Sequence, residues 1–570
     1  SAPGGGGPRL ASFGLDLNLG YSLQGLWAGK LFIHENTAST NLAMPSTLRY
    51  GGVTNDVEVL TASGALRQVK APQTLADVVT ITNNAYEIRF YAATSSGVLT
   101  NGLYAPTGSP FVVWAISGSA TNTNLFRISE TRGSSVITND FEWATTNSSW
   151  TLTSGNGLRR ETRSEVLDTN GVLTVTHAVY APGTSQLVAK EVKRYQMYGF
   201  GQRLIEEVTG DGTGARTNTY TYYTDKVNDG DNWRHRKQAL YHDGSWAIYQ
   251  YDSNGRVTTE FSSFGNQSPT NSASLCRATY HSYTPLTGSG DGGALNAGAP
   301  RTTYQTLLGT EISRSYHVYL LHEARDIRCQ TAGAEWDAAN NLVTITKLYT
   351  NGMFAGYTQS MKRPDGTMSI YEYSVDGSGN LSTLVWSGQP NGGGTAIVAG
   401  TKLVTLQGPL GNVIERTTVD IASDIITGSE VFSDFDEFGR PGRVTYLDST
   451  FKLYSYLCCG LESETDRDGV TTTYGYDALK RRITTTRNSI AHIQTLDAAN
   501  RVLFTQRQGT NASTVTLASM VYDTAGRLLY QTNAVGNLTS FGESTDTNGQ
   551  TLKFTTNALA ETVPATSSFV

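Results

Sequence analysis

The sequence predicts an all-β protein built of repeated hairpins stacked into a long antiparallel sheet. Three observations carry the fold class: apolar and polar residues alternate with a period of two, Gly and Tyr are abundant while Pro is scarce, and a turn motif recurs about every 20 residues. The first segment shows the alternation most plainly. Phe13, Leu15, Leu17, Leu19, Tyr21 and Leu23 fall on one side, and Asp16, Asn18, Gly20 and Ser22 on the other. Successive side chains of a strand point to opposite faces, so this segment reads as a half-buried strand. Val57 to Leu60 and Tyr86 to Tyr91 repeat the texture, and Phe111 to Ile116 reads as a buried strand. The best helix candidate is short, Leu321 to Arg328.

Composition narrows the function classes. Of 570 residues, 59 are Gly, 30 Tyr and only 15 Pro, without a collagen period, so neither a triple helix nor wholesale disorder fits. Charged residues are 16% and the net charge is −6, which argues against a nucleic-acid partner. No apolar run approaches the roughly 18 residues of a helical membrane span. The four cysteines (Cys276, Cys329, Cys458, Cys459) are too few for a disulfide framework. The chain opens Ser1-Ala2-Pro3-Gly4, without Met or a signal-peptide core, and reads as a mature or excised piece.

The repeats organise the chain. Asp243-Gly244, Asp365-Gly366 and Asp468-Gly469 are each followed at offsets of six and eight from the Asp by tyrosines: Tyr249 and Tyr251, Tyr371 and Tyr373, Tyr474 and Tyr476. Asp448-Ser449 with Tyr454 and Tyr456 is a degenerate copy. Asp-Gly is a signal for a two-residue hairpin turn, and tyrosines two apart share a strand face. A second motif, Asp-x-x-Gly-Arg, occurs at Asp252-Gly255-Arg256, Asp436-Gly439-Arg440 and Asp523-Gly526-Arg527. Weaker copies start at Asp168, Asp337, Asp376, Asp477, Asp497 and Asp546. Its Asp can accept hydrogen bonds from the turn backbone, and its Gly, or Asn in weak copies, suits a left-handed position. One period is therefore one hairpin. A lone hairpin is marginal in water, whereas stacked copies bury a continuous face. Residues 1–160 read as a β-rich leader region or the start of the shell, and 161–570 as the repeat array, most regular over 436–550.

The pattern Tyr-x-Tyr-Asp-x-x-Gly-Arg resembles the YD repeat of the RHS family, which includes RHS toxins, the B and C components of Tc toxins, and teneurins. The matches are Tyr249-x-Tyr251-Asp252-x-x-Gly255-Arg256, Tyr474-x-Tyr476-Asp477 and Tyr522-Asp523-x-x-Gly526-Arg527. The resemblance implies one long sheet spiralling into a hollow shell or barrel, which in toxins encloses a C-terminal toxic domain. Toxin members end the shell with an Asp-Pro segment at which self-cleavage occurs, and no Asp-Pro is present here.

Candidate chemistry is sparse. None of the eight histidines sits in H-E-x-x-H, and no G-x-S-x-G elbow or P-loop occurs. Asp434 and Asp436 could flank a glycosidic bond, but Asp436 is already a turn residue. Asn228 to Asn232 packs oxygen ligands without calcium-loop spacing and reads as a polar loop. Cys458 and Cys459 occupy a repeat turn, where a vicinal disulfide is possible. Arg234 to Lys237 and Lys480 to Arg482 read as solvated strand edges. The expectation is a non-enzymatic structural shell without metal or cofactor, secreted or at the cell surface, serving as container, adhesin or assembly subunit. Its candidate partners are a second copy joined at a sheet edge, an encapsulated or C-terminal segment, and a surface glycan or protein. The alternatives are the shell fragment of an RHS-type polymorphic toxin and, more distantly, a glycan-binding or glycan-active protein.

Overall fold

In this computed structural model the backbone is described for separate strands from Phe13–Asp16 to Pro110–Gly118. It is then described over 125–566, apart from residues 133, 145–148, 266, 409–410, 437–438, 458–459, 546–550 and 558–561. Side chains are described for most residues between 125 and 557.

The protein is an all-β ribbon. From Val78–Asn83 to Thr562–Thr566, every strand pairs antiparallel with its neighbours in sequence. The ladder crosses residue 160 without a break, since Ser149–Ser154 pairs with Arg159–Leu167 and that strand with Val172–Tyr180. A separate five-stranded sheet holds Phe13–Asp16, Lys30–His34, Thr47–Tyr50, Asp56–Leu60 and Leu66–Lys70. Neighbour order alone would place the last strand of the ribbon beside its first. No residue-by-residue register joins those two strands among the described residues, so the sheet is open rather than a closed barrel.

Because every connection is a hairpin or a loop returning to the same side, the turns sort onto two edges. Those at 168–172, 252–256, 376–380, 436–440, 477–481, 497–501 and 523–527 all lie on one, hereafter the motif edge. Those at 241–245, 363–367, 446–450, 466–470, 509–513 and 533–537 lie on the other.

Three local expectations need correction. The segment Leu321 to Arg328 is not helical: Leu321 and His322 make a tight turn, and Glu323–Arg328 is a strand. Its alternation buries Ile327 against Val318, and that packing outweighs a weak helical preference. The Asp-Gly pairs do not form two-residue turns of the type with two positive φ angles. The Tyr241 amide donates to the Ser245 carbonyl and the Gly244 amide to the Tyr241 carbonyl, with φ +83° at Gly244 and no positive φ at Asp243. This is the longer loop, a type I turn closed by a left-handed residue. Arg363 to Thr367 and Asp466 to Val470 repeat it. Finally, Asp337 to Asn340 is not a motif copy: it lies in the 329–341 loop, on the opposite edge, without the motif's hydrogen bonds.

The sheet is mostly one layer thick, with side chains on both faces partly exposed. Full burial concentrates in two clusters where loops fold over the ribbon. Trp246, Phe261, Cys276 and Ala278 form one, beneath the 263–276 loop, and Tyr316, Val318 and Ile327 form the other, beside Leu286 and Trp336 of the long loops. Arg301 and Asp291 pin the 283–301 loop. Arg301 Nε donates to Asp291 Oδ2 at 2.8 Å, its side chain is 1% exposed, and its remaining N–H groups donate to the carbonyls of Leu295, Asn296 and Ala299.

Candidate functional site: a seam built from the repeat turns

Each motif turn is a closed hydrogen-bonded unit. The Asp252 amide donates to the Arg256 carbonyl and the Gly255 amide to the Asp252 carbonyl, both at 2.9 Å. Asp252 Oδ1 accepts the Asn254 and Arg256 amides at 3.0 and 2.9 Å, while Oδ2 accepts Arg256 Nε at 2.8 Å. Burial pushes the Asp252 carboxyl up, but the Arg256 side chain and the turn amides outweigh it and hold the group below its ordinary value. Asp477, Asp497 and Asp523 make the same set with Arg481, Arg501 and Arg527. Asp436 holds Arg440 through its amide at 3.0 Å and its Nε at 2.5 Å. The fourth residue is left-handed in each, at φ +76° for Gly255, +69° for Gly439 and +83° for Gly526. Asn500 at +69° suits that region, and Lys480 at +62° occupies it at a cost of about 1 kcal/mol.

The arginines also join one hairpin to the next. Arg481 Nη1 donates to the Asp497 carbonyl and Arg501 Nη1 to the Asp523 carbonyl, both at 2.6 Å. Arg440 lies over the Tyr456 ring at 4.4 Å and Arg501 over Tyr522 at 5.0 Å. The motif tyrosines bond across strands too: Tyr474 donates to Glu464 at 3.0 Å and Tyr476 to the Leu461 carbonyl at 2.9 Å. Tyr251 stacks on His235 at 4.5 Å, and burial pushes its phenol up to about 12. Burial raises the Tyr249 phenol further still.

The motif edge then meets a remote part of the ribbon. Arg501 Nη2 donates to the Val188 carbonyl at 3.1 Å and Arg527 Nη2 to the Gly214 carbonyl at 2.6 Å, each 313 residues away in sequence. The Asp211 amide donates to Thr524 Oγ1 at 2.7 Å, and Arg216 pairs with Glu543 at 2.8 Å. Val188, Asp211, Gly214 and Arg216 all lie at the opposite edge of the ribbon. Approach is close enough to require glycine: a Cβ on Gly210 would sit 2.8 Å from Ala525 Cβ and 3.0 Å from its backbone nitrogen. The ribbon thus winds round and lays its motif edge on its own earlier edge. The sequence carries no local signal for this seam, because its register is set by the accumulated curvature of the strands between.

The other sequence candidates do not converge. Asp225, beside the 228–232 segment, accepts the Val227 and Asn228 amides, and Asn232 accepts the Tyr251 amide at 2.8 Å, so these oxygens are taken up by backbone amides of the loop and of a nearby strand. Among the described residues no three metal-ligating side chains cluster. Arg236 lies over Tyr220 and Lys237 over Tyr223, at 4.5 and 5.5 Å, and Arg482 lies over Tyr474 at 4.9 Å. Cys458 and Cys459 fall outside the described residues. Cys276 is buried, with its thiol raised by burial and donating to the Ser272 carbonyl at 3.2 Å.

No protein-family model matches the chain, and no curated protein matches it. Among solved structures it is similar to the TcdB2-TccC3 complex, at 12% identity and a TM-score of 0.30, over 96% of this chain and 35% of that one. The same complex without its hypervariable C-terminal region gives 11% and 0.30, over 96% and 37%. A Photorhabdus luminescens Tc holotoxin pore gives 9% and 0.22, over 85% and 32%. The chain spans about a third of the length of these chains. In its repeat motif and in its hairpin-by-hairpin antiparallel sheet, it resembles the RHS, or YD-repeat, proteins.

Proposed function

We propose that this chain is a wall: a non-enzymatic shell segment whose coiled sheet encloses a space, working outside the cytoplasm. The observation that carries the reading is the seam. The motif edge returns to the ribbon after about 23 strands, counted from Leu187–Tyr198 to Val502–Gln508. At a strand spacing of about 4.8 Å, 23 strands give a girth of about 110 Å and a width of about 35 Å. Over much of its length the sheet leaves both faces partly exposed, so side chains do not fill such a bore. A low charged fraction and loops rich in Thr, Asn, Ser and Gly suit an extracellular surface that owes its stability to hairpin stacking. The motif residues then have a structural role, since they close each turn, tie it to the next, and clamp one turn of the spiral on another. Electron microscopy of the purified chain tests this. A tube about 35 Å across with a solvent-filled centre is the expected result; a flat or collapsed sheet would overturn it.

A further inference from the structure

The geometry points to a binding site for a single neutral sugar residue in the cleft beside the 446–450 turn, on the edge opposite the motif. The cleft measures about 490 Å³ and is lined by Arg416, Thr418, Gly428, Glu430, Tyr446, Asp448 and Arg467, among others. Gly428 lines it without a side chain, next to a bulge where the register with the neighbouring strand shifts between Thr418 and Val419. Gly428 is not left-handed, and a Cβ there would meet Thr418 Cβ at 3.7 Å, an ordinary contact. Glycine weakens a strand interior and commonly marks a bulge or a place that another group approaches closely. Here it leaves room for one sugar ring.

The lining suits a polyol. Arg416 pairs with Glu430 at 3.1 Å, and Arg467 pairs with Asp448 while lying 4.7 Å above the Tyr446 ring. Each guanidinium is already matched by a carboxylate, so a charged ligand would meet its own charge or have to break a pair. A neutral polyol need not: its vicinal hydroxyls can donate to carboxylate oxygens and accept from guanidinium N–H groups without separating them. Thr418, Thr427 and Ser429 supply further hydroxyls.

Saturation-transfer NMR on the intact chain tests the proposal, with lactose, methyl α-mannopyranoside and N,N′-diacetylchitobiose as probes. They are used at about 10 mM, tenfold above the roughly 1 mM Kd of a weak, one-residue site. At least one probe should receive saturation. Gly428→Val should abolish it without altering the circular dichroism spectrum, and Asp448→Ala should weaken it about tenfold or more. Silence from all three probes would overturn the proposal. So would transfer that survives Gly428→Val, or a preference for glucuronate or glucosamine over the neutral probes.

Discussion

Two stretches of the same ribbon, residues 236–345 and 436–545, solve the problem of a one-layer sheet differently. In both, the face opposite the motif tyrosines carries large apolar side chains, as Trp246 and Ile248 alternate with Tyr249, and Phe451 and Leu453 with Tyr454. In the first stretch long loops cover that face and produce fully buried residues, Ala278 and Val318 among them at 0% exposure. In the second the hairpins are short and Phe451, Leu453 and Phe504 stay about 40% exposed. That stretch is held instead by the arginine relay and by its seat on residues 188–216. The motif is most regular where covering loops are shortest, so side-chain bonding in the turns replaces burial as the source of order.

Breaking the loop anchor should have the largest effect. Arg301→Ala strands a buried Asp291 carboxylate and should cost about 3–5 kcal/mol. Hydrogen exchange should report it within the loop-covered stretch and leave 436–545 protected. Gly210→Val forces a left-handed β-branched residue against Ala525 and should cost about 3 kcal/mol, opening protection at 497–527 instead. Arg501→Ala removes the bonds to Asp523 and Val188, and should lower stability by about 2 kcal/mol in the second stretch alone. Alkali should act on both stretches, since burial raises Tyr251 and Tyr454 to about 12 against about 10 unfolded. A raised phenol favours the folded state fully below pH about 10, and that contribution is lost as pH climbs towards 12. Tyrosinate absorbance should therefore show a late-titrating population that merges with the rest on unfolding. Removing the exposed pair with Arg416→Ala should shift stability by no more than about 0.5 kcal/mol.

The sequence made the hairpins legible because their signals are local. An Asp that accepts two turn amides and a left-handed Gly three residues on constrain one another within five positions, as at Asp523 to Arg527. The same reading misjudged Leu321 to Arg328, where packing on Val318 decides, and the Asp-Gly loops, where one added residue changes the turn type. It also counted Asp337, whose spacing fits but whose edge does not. The seam and the rim cleft were out of reach. Gly210 and Gly428 read as ordinary glycines until the residues that approach them, Ala525 and Thr418, are placed.

The spiral seam is the central claim, and a zero-length cross-link tests it most directly. Arg216→Lys puts an amine beside Glu543, and carbodiimide treatment followed by peptide mass spectrometry should recover a 216–543 link. The native Lys190–Asp211 pair, 2.8 Å apart within one stretch, serves as the internal control. Recovery of both links is the predicted result. Recovery of the 190–211 link without 216–543, under the same conditions, would contradict the coiled ribbon.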